Sequence, residues 1–206
     1  MKRFVFAFVT VAVCMLCQAQ DRVAYVSMEK AFTDYYKTIN ANVQFEQKKL
    51  EFEEKMTMLT KEFDASANEL KNLRADADNE LLSKEARDEA IRKFKVKAQI
   101  FEDKRNELAR TERAGRTDLN RTKGETEATL VSDLIAAIKK FAADNGYTHV
   151  YDVSGMSFNR MPVLLVYPEQ QDVTAAFIKV INNGHEKEIE AAKDKLEIIK
   201  NTKVEK

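Results

Sequence analysis

Side chains able to do covalent chemistry or hold a metal are few and scattered in this chain. Its two histidines, His149 and His185, are far apart, and neither has a cysteine or second histidine at metal-ligand spacing. His149 falls in a segment that reads as a β-strand, where a half-exposed strand residue is its ordinary role. Both cysteines, Cys14 and Cys17, sit close to the N-terminus. The 34 acidic residues could in principle supply general acids or bases, but their heptad surroundings make them solvated helix faces. There is no glycine-rich phosphate loop and no nucleophile elbow. No catalytic, cofactor or metal site is expected, and the chain is not expected to be an enzyme.

The first nineteen residues read as an export signal. Lys2 and Arg3 precede an apolar run at residues 4–16, and Cys17-Gln18-Ala19 form a small-residue cleavage site. The run is about 13 residues, short of the roughly 20 that a membrane span requires. An uncleaved anchor is the alternative. Lipidation is disfavoured, because Val13 is bulky before Cys14 and no recognition run precedes Cys17. Cleavage would leave an exported chain of residues 20–206 with no cysteine, so packing rather than disulfides must hold it together. The mature chain has 32 basic and 34 acidic residues, a net charge of −2, which argues against a nucleic-acid partner. Five glycines and two prolines leave few breaks.

Residues 22–28, RVAYVSM, read as a short strand apolar on both faces. From Phe45 an a/d heptad pattern runs for more than four repeats. Phe45, Phe52, Leu59, Ser66 and Leu73 form one set; Met56, Phe63, Leu70 and Ala77 form the other, with Lys49 and Ser66 as polar intrusions. The pattern weakens at residues 74–90, where Ala, Asp and Asn replace large apolar groups and Ser83 could cap a new helix. Ile91, Phe94, Ala98, Phe101 and Leu108 restore the stripe.

The simplest geometry is a pair of helices folded back at about residues 79–84, each limb about 60 Å long. One unbroken helix is the alternative. Charge favours the fold-back: residues 45–83 carry 6 basic and 10 acidic side chains, net −4, and residues 84–123 carry 13 and 8, net +5. Antiparallel limbs would attract. Gly115 and Gly124 lie where large apolar residues are scarce, and each costs about 1 kcal/mol relative to alanine in a helix. The segment is either a soft point where an arm joins a body or a thinly packed, slightly bent helix.

Periodicity returns at Leu130, Leu134, Ile138 and Phe141, and Asn145-Gly146 stops the helix. Residues 147–153, YTHVYDV, and 163–167, VLLVY, read as strands, and Asp172 could cap a last helix through Phe177 and Ile181. The expected organisation is a signal at 1–19, the first part of a β body at 20–36, a helical arm at 37–140, the remainder of the body at 141–184 and a charged extension at 185–206. The fold class is α+β: a small β body completed by oligomerisation, with long antiparallel coiled-coil hairpin arms.

The segments VAYVSMEKAFTDYYKT near the start, and VLLVY followed by DVTAAFIKVIN near the end, resemble the Skp/OmpH-like periplasmic chaperones. The resemblance covers roughly residues 21–183. It implies a jellyfish-shaped homotrimer whose helical hairpins surround a cavity and hold unfolded outer-membrane β-barrel proteins without ATP. The family has no catalytic residues to carry over. This chain departs from it in arms that are nearly neutral and in the sequence past Gly184. There Ile189, Ala192, Leu196 and Ile199 could make a weak apolar stripe, as an extra helix or a frayed tail.

Under this resemblance Val23, Tyr25 and Val26, with Val150, Val153, Leu164 and Val166, would form the body and oligomer core. Phe45, Phe52, Met56, Leu59 and Phe63, with Leu70, Phe94, Phe101 and Leu108, would form the hairpin core. Client contact would fall to Met58, Leu81, Leu82, Ile91 and Val96, taken to lie near the thinly packed tip. Arg92, Lys93, Lys95 and Lys97 form a basic cluster that could meet acidic client segments or lipid headgroups, or could be a solvated face paired with the acidic limb. From a different class, a structural coiled-coil spacer or tether of the cell envelope would need the same oligomeric core.

Overall fold

The computed structural model describes residues 21–204; the expected signal at residues 1–19 lies outside them. The element order is β1 (Val23–Val26), α1 (Met28–Asp34), α2 (Tyr36–Asp78), α3 (Lys84–Asp144), β2 (His149–Asp152), a 3-10 turn (Glu169–Gln171), α4 (Thr174–Ile181) and α5 (Glu186–Val204). Long helices together with a small two-stranded sheet make this an α+β fold. The chain forms two compact units, one of residues 21–35 with Val131–Asn183 and one of Tyr36–Leu130 with residues 184–204.

In the first unit β1 and β2 pair in parallel, with Val23 opposite His149 and Val26 opposite Asp152. Parallel strands need a long crossover, and the crossover here includes both long helices. The other edge of β1 is partly taken by the Val173 N–H, which donates to the Tyr25 carbonyl at 2.8 Å. Ala24 and Val26 point into a core that also buries Ala31, Leu134, Phe141 and Phe177. The Phe141 and Phe177 rings meet edge to face, with centroids 5.5 Å apart. Ser27 caps α1 by accepting from the Lys30 N–H at 3.2 Å, and Asp152 accepts from the Met28 N–H at 3.1 Å.

Three expectations for this unit need correction. Met28 opens α1 rather than ending β1, because the Ser27 cap turns the chain into helix. Leu134, placed in the arm at residues 37–140, is buried core of the first unit, together with Phe141. Residues 163–167 do not form a strand. Val163 donates to the Gly155 carbonyl at 2.8 Å and Pro162 forms an isolated bridge with Met156, but no ladder follows. A strand exists only through its neighbour's backbone, and within one chain residues 164–167 have none. Val166 is 87% exposed in place of lying in a core, and Leu164 is half-buried.

In the second unit α2 and α3 run antiparallel, as their cross-limb pairs show. Lys48 meets Asp118 at 2.5 Å, Glu62 meets Lys104 at 2.7 Å and Glu69 meets Lys97 at 3.0 Å, so the partners step in opposite directions. Each joins an acidic-limb residue with one from the basic limb or the reverse, and each is exposed enough to contribute little alone. The Phe63 and Phe101 rings stack with centroids 4.8 Å apart. A two-helix seam cannot enclose such rings, and Phe45, Phe52, Met56, Leu59, Leu70, Phe94 and Leu108 are likewise only half-buried. Gly115 serves this seam directly: a Cβ there would overlap the Phe52 ring. The glycine is a socket for an aromatic side chain and not a soft point, whereas a Cβ at Gly124 would meet nothing.

The limbs are interrupted where Asp and Asn replace apolar residues. Asn79 Oδ1 accepts from the Leu81 N–H at 3.0 Å, an Asx turn. Ser83 Oγ accepts from the Ala86 N–H at 3.2 Å and so caps α3.

Candidate functional site

Two exposed apolar surfaces stand out, one in each unit. On the hairpin, Leu81 lies in the turn, where its N–H donates to Asn79 Oδ1, and its side chain is 95% exposed. Ile91, Val96 and Ile100 on α3 are also exposed, and Leu82 is half-buried. Met58 is 64% exposed but does not belong to the tip. It precedes the end of α2 by twenty residues, so it stands about 30 Å from the turn at 1.5 Å per residue.

The four expected cations have different surroundings. Arg92 and Lys93 both engage Glu89 on their own helix, at 2.7 and 3.6 Å, and Lys97 reaches Glu69 on the other limb. Lys95 is exposed. The hydrogen bond from Arg92 holds the Glu89 carboxyl below the usual carboxylate range. Farther along the arm, Lys48 and then Arg121 hold Asp118 below its ordinary range in the same way. The basic cluster is thus partly neutralised by local carboxylates, with positive charge remaining at the Lys95 side.

The second surface is on the first unit. Met156, Phe158, Met161, Val163, Leu165 and Val166 are all exposed, with Phe158 fully so. They occupy a loop and an unpaired extended segment, held by the Met161 carbonyl accepting from the Ser157 N–H at 2.7 Å. The sheet beside them has β2 as an edge, with Tyr151 exposed. Residues 154–162, between the expected strands at 147–153 and 163–167, carried no site expectation. The signal that could have marked them was large apolar residues, Met156, Phe158 and Met161, inside a loop whose neighbours are small and polar.

Among the described residues no cluster of His, Cys, Asp or Glu could hold a metal ion, and no helix is long and apolar enough to cross a membrane. Such an arrangement presents surfaces: an α+β scaffold with a long helical hairpin and an apolar, unpaired β edge.

A family model described as outer membrane protein (OmpH-like) matches residues 22–181, and the chain belongs to this family. A comparison with curated proteins finds no match. The family's kind of function is chaperoning of outer-membrane proteins in the periplasm, by members that are typically oligomeric and not enzymatic. The match ends with α4, so α5 lies beyond it.

Proposed function

We propose that this chain is a periplasmic, ATP-independent holdase that assembles as a homotrimer and binds unfolded outer-membrane β-barrel proteins, preventing their aggregation. The observation that carries this reading is the exposure of large apolar side chains on a hairpin that is otherwise highly charged: Leu81, Ile91, Val96, Ile100 and Met58. An unfolded membrane strand offers apolar side chains at every second position and unpaired backbone between them. Separate apolar contacts on solvated helices hold such a chain weakly at each point, and confinement among several arms raises the effective concentration of each contact. Weak local contacts also allow release without nucleotide hydrolysis.

The apolar run at residues 156–166 and the β2 edge support the oligomeric part of this reading. Exposed contiguous apolar surface of that kind marks an interaction site. An unpaired strand edge is a template for pairing with another chain. The tryptophan-free sequence makes the client interaction readable. Tryptophan emission of a β-barrel client should shift when urea-unfolded client is mixed with the protein, and should not shift for the folded barrel. A protein that bound only one folded target would be a tether instead. Reversing the charge of Arg92, Lys93, Lys95 and Lys97 together should weaken capture; unchanged capture would remove the basic cluster from the mechanism.

A further inference from the structure

We propose that α5, which lies beyond the family match, is an internal brace that keeps the root of the arm ordered. Immediately after Gly184, which adopts a left-handed φ of 83°, the His185 ring stacks on Tyr36 with centroids 3.6 Å apart and planes 7° apart. One helical turn on, Asn40 donates to the Glu188 carboxylate at 2.5 Å. Farther along, Lys195, Ile198 and Ile199 line a trough with Val43, Gln47 and Glu51. The partners ascend together, so α5 runs parallel to α2 over its first four turns or so. The stripe that makes this contact has Ala192 and Ile199 buried, with Ile189 and Leu196 half-buried.

This contact uses a different side of α2 from the hairpin seam. Tyr36, Asn40, Val43 and Gln47 recur every three or four residues and face α5, whereas Phe52 and Phe63 face α3. The root needs a second contact because its first is poor. Between Gly115 and Leu130 the returning limb offers Leu119 as its large apolar residue, with threonines, charged residues and Gly124 around it. Two helices joined by so little apolar surface would open locally. At this level α5 adds burial of its own, with Ala192 4% exposed and Ile199 buried as well.

Hydrogen exchange on the full mature chain, without client, tests the brace separately from the holdase reading. Ala192→Glu drives a carboxylate into the α2–α5 contact, and His185→Ala removes the ring from Tyr36 together with its hydrogen bond to Glu188. Both should speed exchange of the amides at residues 40–51, by about tenfold or more for Ala192→Glu. Amides at residues 62–77 and 90–105 should keep their protection. Should α5 lose protection while residues 40–51 keep theirs, α5 is a passenger and the proposal fails. Equal acceleration along the whole arm also overturns it, because α5 would then support general stability rather than the root. If Ala192→Glu does not fold, His185→Ala decides by the same comparison.

Discussion

Replacing Val166 by glutamate should leave the chain folded but unable to assemble. Val166 is 87% exposed in the single chain, so the substitution removes almost nothing from its own core. Helix content by circular dichroism should therefore be unchanged. In an assembly where residues 163–167 add to a neighbour's sheet edge, the same carboxylate would be driven into an apolar contact without a partner, a cost that large interfaces do not absorb. Sedimentation equilibrium should then give the mass of one chain where the unaltered protein gives three. An unaltered oligomer mass would show that this segment is not the subunit contact.

The second large effect separates two glycines in the same helix. A residue with a side chain normally improves a helix interior, and Gly124→Ala should raise stability by about 1 kcal/mol, since nothing stands near its added Cβ. Gly115→Leu should do the opposite despite leucine's better helix propensity. Its side chain must displace the Phe52 ring from the seam, and overpacking of this kind costs about 1–3 kcal/mol. Urea unfolding midpoints of the two variants should therefore move in opposite directions. If Gly115→Leu is also stabilising, the aromatic socket does not exist in solution.

These cases mark what the residues reveal locally and what they do not. The heptad steps identify Phe52, Phe63 and Phe101 as seam residues, because helical periodicity is written into consecutive positions. They do not say that Phe52 lies against Gly115, since that depends on the register of two limbs more than sixty residues apart in sequence. The first strand and the one at His149–Asp152 were legible from their β-branched and aromatic residues and find each other within one chain. VLLVY has the same composition and no partner in the chain, so composition alone predicted a strand where one molecule cannot make it. The stripe of Ile189, Ala192, Leu196 and Ile199 was visible too. Its partner was not, because the side of α2 that receives it carries Asn40, Gln44 and Gln47 rather than an apolar stripe.

For the candidate site the gap was wider. Exposure at Leu81 follows from a turn, which Asn79 and Ser83 announce. Met58 was expected near the thinly packed tip, although helix length places it well back on the arm. The alternative of a face paired with the acidic limb describes Lys97, which reaches Glu69. Arg92 and Lys93 instead find Glu89 three and four residues earlier on their own helix, a pairing the limb charges do not reveal.

The holdase reading is tested most directly by light scattering as a urea-unfolded outer-membrane β-barrel protein is diluted into nucleotide-free buffer, with and without the mature chain. Suppressed scattering, complete at roughly one trimer per client and unaffected by ATP, is the result expected of an enclosing assembly held together by many weak contacts. Undiminished scattering in the presence of a folded, oligomeric preparation would contradict it, and would leave the long hairpin as a spacer between partners.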